Sequence, residues 1–459
     1  MSGKRQKTRQ LQLAFGSEGR GEAPTADLRG TEPPAAERHT ESPANTECEM
    51  EAVCNRENLR KALKRVQANK GSGGIDGMSV KQLPGYLAKH WPALRDQLLE
   101  GTYQPQPVKR VEIPKSDGGV RKLGIPTVLD RFIQQAVMQV LQGQWDGTFN
   151  PHSYGFRPGR SAHQAVAAAQ QHIADGYRWV VDIDLEKFFD RVNHDRLMAA
   201  VAKRVEDKRL LRLIRAFLNA GVMENGLVSP TDEGTPQGGP LSPLLSNLVL
   251  DEWDRELEKR GHRFVRYADD CNIYVRSERA GQRVMESMEH FIAKRLRLKV
   301  NVAKSAAARP WERKFLGFTF TVNRQPKRRV APKALARFTR KVRELTRRTR
   351  GISVQEMVEQ LATYLRGWRG YFGFCQTPSV LANLDSWIHR RLRCFQWKQW
   401  KRGRRRFAEL RRLGVGKDLA AQTAGSPHGP WRLSRSPALS FALPGAFWER
   451  LGLPRLIAR

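Results

Sequence analysis

Cysteine is scarce in this chain: five in 459 residues, at Cys48, Cys54, Cys271, Cys375 and Cys394. The count is odd and no pair is spaced Cys-x-x-Cys, so neither a disulfide scaffold nor a zinc site is indicated. A reducing compartment fits best. Long apolar runs are also missing, and none approaches the roughly 20 residues of a membrane span. The first residues lack the apolar core of a secretory signal, and their many glutamates argue against an organelle transit peptide. Acidic side chains are the third shortage, with 46 Asp and Glu facing 81 Lys and Arg, a net +35. A compact chain so charged repels itself unless a polyanion binds. Nucleic acid is therefore the expected partner, with an affinity that falls as salt rises.

The chain divides by composition. Residues 1–50 are polar, rich in Gly, Pro, Glu and Arg and without periodicity, which reads as a disordered tail. From Glu51 to about Gln325, helical stretches alternate with short strands, the pattern of an α/β or α+β catalytic unit. From Arg324 onward there are 31 Lys and Arg against 7 Asp and Glu, so this last third carries +24 of the +35. Leu335, Phe338, Val342 and Leu345 are spaced by three and four, one apolar stripe of a helix. Ser353 and Glu356 form a capping-box pair ahead of a second stripe, Met357, Leu361, Leu365 and Trp368. Leu381, Leu384, Ile388, Leu392 and Phe395 make a third. Three such helices can pack as a small bundle with a basic exterior. Trp368, Trp387 and Trp397 are more often core at such spacing than base-stacking platforms. Residues 401–459 read as a basic, DNA-binding tail.

The chemistry lies in two acidic segments. Phe264 to Val275 reads strand, tight turn, strand, with Asp269 and Asp270 at the turn. Adjacent carboxylates repel unless a cation sits between them, and Mg²⁺ is the hard, oxygen-seeking choice. Taken alone, an Asp-Asp turn is more simply an ordinary hairpin. Trp179 to Asp184 changes the balance, because it alternates: Trp179, Val181 and Ile183 face one way, Val180, Asp182 and Asp184 the other. Laid beside the hairpin, this strand adds a third carboxylate. Two metals there can activate a primer 3′-hydroxyl and stabilise leaving pyrophosphate in an in-line displacement. Asp182 reads better as a structural ion-pair or hydrogen-bonding residue.

Tyr267-Ala-Asp-Asp270 resembles the YxDD box of reverse transcriptases. Val181-Asp-Ile-Asp-Leu-Glu-Lys-Phe-Phe-Asp190 is similar to their first acidic motif, in which the metal-binding Asp precedes an aromatic or bulky gate by five residues. Asp184 and Phe189 fit that spacing, whereas Asp182 would put Lys187 at the gate. Gly234 to Asn247, containing Pro-Gln-Gly-Gly, resembles the long PQG block of group II intron-encoded proteins. Gly73-Gly-Ile-Asp-Gly77, Arg121 to Pro126, Ser153 to Ser161, Leu298 to Lys304 and Phe315 to Phe318 resemble further blocks in the family's order. Tyr364 to Phe372 resembles the maturase region. The ordered set runs from about residue 55 to about 400.

The resemblance implies an α+β right-hand polymerase: fingers and palm over 51–325, with an antiparallel sheet in the palm, and a helical thumb or maturase region over 326–400. It implies two Mg²⁺ ions held by Asp184, Asp269 and Asp270. Lys115 and Arg121, beside a hairpin turn, would contact the incoming dNTP, although a solvated basic loop has the same composition. Gln237 would touch the nucleotide or the template backbone. Phe189 would exclude a 2′-hydroxyl, or serve only as core. Lys304 could protonate the leaving pyrophosphate, or be a plain exposed lysine. Gly317 would lie beside the primer. The basic helices would grip intron RNA, with Arg347, Arg348 and Arg350 as candidates. Residues beyond Lys401 contain no cysteine and only His428, so the HNH endonuclease of many relatives is missing, as in the bacterial class C group II proteins. Insertion into a DNA target would then need a primer supplied by another process. The implied protein is an RNA-directed DNA polymerase of a mobile intron, cytoplasmic in a bacterium and associated with the nucleoid. Its partners would be group II intron RNA, DNA target and primer, and dNTPs, with no membrane. Two alternatives share the motifs: an intron-independent enzyme recruited to repair or defence, and an RNA-binding maturase with little polymerase activity.

Overall fold

The computed structural model describes residues 49–114, 119–224, 227–229, 233–235 and 238–457. The disordered tail expected over 1–50 falls outside them except at its end. There the expectation needs correction, because Glu49–Val53 is helical and Met50 is buried. The Met50 N–H donates to the Asp207 carboxylate at 3.1 Å, which ties this segment to the core.

Ten strands are described: β1 Val108–Pro114, β2 Val120–Ile125, β3 Trp179–Ile183, β4 Val222–Glu224, β5 Leu227–Ser229, β6 Arg263–Tyr267, β7 Asp270–Val275, β8 Ala306–Ala308, β9 Phe318–Phe320 and β10 Arg328–Val330. They form three sheets, ordered β2-β1-β4-β5, β6-β7-β3-β8 and β10-β9. In the first, β1 and β2 pair as an antiparallel hairpin from Lys109↔Ile125 to Pro114↔Val120. Its turn, with Lys115, lies outside the described residues. The second sheet is wholly antiparallel and holds the acidic segments.

This second sheet is apolar on both faces, and the central strand β3 shows it. Val181 and Ile183 enter a large core shared with the helices Val128–Trp145, Ser242–Lys259 and Glu278–Phe291. Val180 enters a smaller core with Val265, Tyr274 and the helix Ala162–Ala174. That helix starts on a complete capping box, Ser161 with Gln164. Helices therefore cover the sheet on both sides, and only the strand ends at the β6–β7 turn are left for chemistry. The architecture is mixed α and β, as expected.

The three helices read after Arg324 are present as Pro332–Leu345, Val354–Phe372 and Pro378–Gln399. Phe338, Val342, Met357, Leu361, Leu365, Ile388, Leu392 and Phe395 are buried together, as their spacing requires. Ser353 caps the second helix, accepting from the Glu356 N–H at 3.1 Å. Of the three tryptophans, Trp368 and Trp397 are core. Trp387 is half-buried, with the guanidiniums of Arg343 and Arg391 over its ring.

The described residues of the expected tail, 401–457, are folded. Five short helices lie between Gly403 and Arg450. Leu410, Val415, Leu433, Leu439, Leu443, Trp448, Leu453 and Leu456 are buried in the same core as the three longer helices. Asp385 fixes the end of this stretch, accepting from the Leu456 N–H at 3.1 Å. The basic residues coat a folded element, and the apolar residues between them bind it to the three longer helices.

Candidate active site

The β6–β7 hairpin closes through a two-residue turn, Ala268 and Asp269, with Tyr267 paired to Asp270. Cys271 to Val275 are buried behind it, which anchors the turn. Strand β3 lies on the other side of β7 with Ile183 opposite Cys271, so the next residue along β3, Asp184, comes beside Asp270. Its backbone is held: the Asp184 N–H donates to Ser305 Oγ at 3.0 Å, and the Asp184 carbonyl accepts from the Asn301 N–H at 2.8 Å. The backbone register thus puts all three aspartates singled out in the sequence at one end of one sheet.

Their electrostatics show the crowding. Burial pushes the Asp269 carboxyl up, and the charge of Asp184 adds to this, while its own backbone N–H and Arg121 oppose it. Asp270 keeps an open face at the mouth of the site. The protein packed around the rest of it, together with the charges of Asp269, Asp182 and Asp184, pushes its carboxyl up to about 7. Cations answer this negative charge. Lys304 Nζ lies 3.7 Å from Asp184 Oδ2, and Lys314 acts on Asp270. Asp182 is engaged elsewhere, with Arg313 Nη2 2.7 Å from its Oδ2. That ion pair is the structural role its position suggested.

Among the described residues, no three or more His, Cys, Asp and Glu side chains are already grouped around a common point for a metal. The donor chemistry nevertheless suits a hard divalent cation. All three side chains offer oxygen, and their mutual repulsion is what a bound cation relieves.

Residues 113–320 match the family model "Reverse transcriptase (RNA-dependent DNA polymerase)", and residues 335–414 match "Group II intron, maturase-specific domain". The chain carries a reverse transcriptase domain followed by a group II intron maturase-specific domain. Protein YkfC of Escherichia coli K12 is 42% identical over 208 residues, 44% of this chain and 55% of that protein. The group II intron-encoded protein LtrA of Lactococcus lactis subsp. cremoris is 37% identical over 195 residues, 42% of this chain and 32% of LtrA. A 91 kDa protein in cob intron of Schizosaccharomyces pombe is 33% identical over 184 residues, 40% of this chain and 22% of that protein. The matched segments thus span about half of the first relative and a third or less of the others. The maturase match runs past residue 400, in line with the continuous core found there.

The remaining residues of the reverse transcriptase domain fall into place unevenly. Lys115 and Gln237 lie outside the described residues. Arg121 is exposed on β2 and acts on Asp269 through space. Gly238 sits so close to the Gly124 carbonyl that a Cβ would come within 2.6 Å, so the PQG block and the β1–β2 hairpin are in contact. Phe189 is half-buried, edge-on to the buried Phe188 with ring centroids 5.2 Å apart. Its carbonyl accepts from the Thr235 N–H at 2.6 Å, which joins it to the PQG block. Gly317 has φ +82°, and a Cβ there would press on the Phe372 ring at 3.1 Å. The structure thus gives this glycine a packing reason of its own, against the helix Val354–Phe372.

In the maturase domain, Arg347 and Arg348 are exposed just beyond the helix Pro332–Leu345. Arg350 is not a free cation. Its guanidinium donates to the Leu345 carbonyl and to Gln360 Oε1, both at 2.7 Å, so it closes the end of one helix against the next. Nothing in the sequence marks Arg313, Ser305 or Lys314 as neighbours of the acidic cluster. They reach it from the two sides of β8, more than 120 residues downstream of Asp184.

Proposed function

We propose that this chain is an RNA-directed DNA polymerase that binds group II intron RNA, assists its splicing and copies it into DNA during insertion at a DNA target. The observation that carries the catalytic part is the placement of Asp184 beside Asp269 and Asp270 across β3 and β7. Two Mg²⁺ ions bound there would supply Lewis-acid activation of the primer hydroxyl and charge neutralisation on the pyrophosphate. Asp184, Asp269 and Asp270 would hold them. Lys304, whose Nζ lies 3.7 Å from Asp184 Oδ2, would offer a proton to the leaving group. Arg121, with Lys115 and Gln237, would place the triphosphate. Primer extension on an RNA template should require Mg²⁺, stop on chelation and resume when Mg²⁺ is restored. Equal extension in excess chelator would remove the assignment.

Phe189 would lie under the sugar of the incoming nucleotide. Its half-buried ring, backed by Phe188, is rigid enough to act as a wall. Phe189→Ala should admit ribonucleotides, lowering dNTP over rNTP preference by about tenfold or more, from the value of well-placed apolar bulk in a binding pocket. Measured kcat/KM for paired rNTP and dNTP decides it, and an unchanged ratio makes Phe189 a core residue only.

The maturase domain supports the RNA-binding part of this reading. Arg347 and Arg348 are proposed to meet intron RNA phosphates, while Arg350 acts inside the fold. No helix among the described residues is long and apolar enough to cross a membrane; a DNA target and an intron RNA template would be met in the bacterial cytoplasm, beside the nucleoid. The primer for DNA-target insertion would come from another process.

A further inference from the structure

Arg266 immediately precedes the Tyr-Ala-Asp-Asp turn, and both it and Asp254 are fully buried. A guanidinium has five N–H donors in a fixed fork, and here every one is used. Nε donates to Asp254 Oδ1 at 2.7 Å, and Nη2 donates to Asp254 Oδ2 at 2.6 Å and to Ser153 Oγ at 2.7 Å. Nη1 donates to Asn247 Oδ1 at 3.1 Å and to the Ala268 carbonyl at 2.8 Å. The last bond matters most, because Ala268 is the first residue of the turn and stands at φ +57°. That left-handed conformation disfavours an L side chain, and glycine is usual at such hairpin positions. Strain of this kind persists only where the surroundings over-determine it.

The surroundings do so from two sides. Ser153 and Gly155 belong to the Ser153–Ser161 block, and Asn247 ends the PQG block. Neither block's role in the site is otherwise explained by these residues. The backbone of 152–154 runs along the outer edge of β6, with the Arg266 N–H donating to the His152 carbonyl and the Tyr154 N–H to the Arg266 carbonyl. Asn247 Nδ2 donates to the Gly155 carbonyl at 2.9 Å. Gly155 itself lies flat against the turn, where a Cβ would fall 2.3 Å from the Ala268 nitrogen. Asp254 and Asn247 stand seven residues apart on the helix Ser242–Lys259, two turns along one face.

The geometry points to Arg266 as a positioning residue for the polymerase reaction: braced by Asp254, it holds the Ala268 carbonyl and so sets the turn that presents Asp269 and Asp270. This rests on the polymerase reading above. An ion pair kept only for stability would need no bond to the turn. The clamp fixes where the carboxylates stand before any metal arrives. A displacement of about 1 Å at reacting groups can cost on the order of 100-fold in rate.

The test removes both charges together, because a lone buried Asp254 would destabilise the fold for a reason unrelated to aim. Arg266→Met/Asp254→Leu should fold and bind RNA as wild type does, with a melting temperature lowered only by the donor lost to Ser153, Asn247 and the Ala268 carbonyl. Mg²⁺ affinity measured by calorimetry should fall severalfold. The kcat of primer extension should fall roughly 100-fold, as for a misplacement of that size, with KM for dNTP little changed. Arg266→Lys keeps the charge but not the fork, and should recover part of the Mg²⁺ affinity and rate. A folded double variant with wild-type Mg²⁺ affinity and kcat would overturn the proposal and leave a structural ion pair. Should the double variant not fold, Ser153→Ala decides the matter: it deletes one acceptor of the fork, and weakened Mg²⁺ affinity in a folded protein is expected, whereas wild-type affinity overturns the clamp. Absence of Mg²⁺-dependent extension in the wild-type protein would instead defeat the polymerase reading itself.

Discussion

Asp184→Asn should abolish cDNA synthesis while leaving intron RNA binding and splicing at wild-type levels. The amide matches the carboxylate in size, so the backbone bonds that Asp184 makes to Ser305 and Asn301 survive. The ion pair to Lys304 is lost, but at 3.7 Å and with more than half of the lysine exposed it contributes little, about 0–1 kcal/mol. The missing charge is decisive for chemistry, because a neutral amide is a poor ligand for a hard cation and leaves the developing charge unbalanced. Losing one such preorganised group costs on the order of 100–1000-fold in rate. The maturase surface lies in a separate core, formed by residues from Val330 to Leu456, and is untouched. Paired assays of primer extension and intron splicing on one preparation check both halves. Equal loss of splicing in a folded Asp184→Asn protein would show that the two activities are not separable.

Trp448→Ala should unfold the thumb rather than merely weaken DNA binding. Trp448 is fully buried, far along a stretch whose composition suggests a loose basic tail. Deleting a buried tryptophan side chain costs about 3–5 kcal/mol, a large part of a domain's margin of about 5–15 kcal/mol. The cavity would open into the core that also holds Leu361, Leu365 and Ile388. Thermal unfolding should shift downward, and intron RNA binding should fail with it. A Trp448→Ala protein with wild-type melting temperature and RNA affinity, impaired only on DNA, would restore the picture of an independent tail.

These cases show where sequence suffices. The stripes beginning at Leu335, Met357 and Leu381 are legible because each helix is long enough to repeat its apolar spacing several times. The helices after Gly403 have four to ten residues, too few for a period to emerge. Their buried leucines are scattered among arginines that dominate the composition. At the site, the acidic end of β3 could be read because charge is unexpected on an apolar strand, while the choice of Asp184 over Asp182 came from the resemblance of its spacing to Phe189. The supports of the acidic cluster could not be read. Arg313 meets Asp182 from 131 positions away, and Arg266 looks like any basic residue until its five acceptors are seen. Gly317 was legible as special but not as a neighbour of Phe372.

Strand β3 has a property that ordinary half-buried strands lack. In those, sliding by one residue exchanges oily and wet faces, and that penalty fixes the alignment. Here Val180 and Val181 both enter cores, so a slip would exchange one apolar face for another at little cost. Asp182 supplies the missing penalty. Its carboxylate meets Arg313 in the observed alignment only, and any shift would carry the charge away from its partner and into packed hydrocarbon. Asp182, paired with Arg313, thereby acts as a key in a lock: it lets β3 seat beside β7 in one position, the one in which Asp184 comes abreast of Asp270.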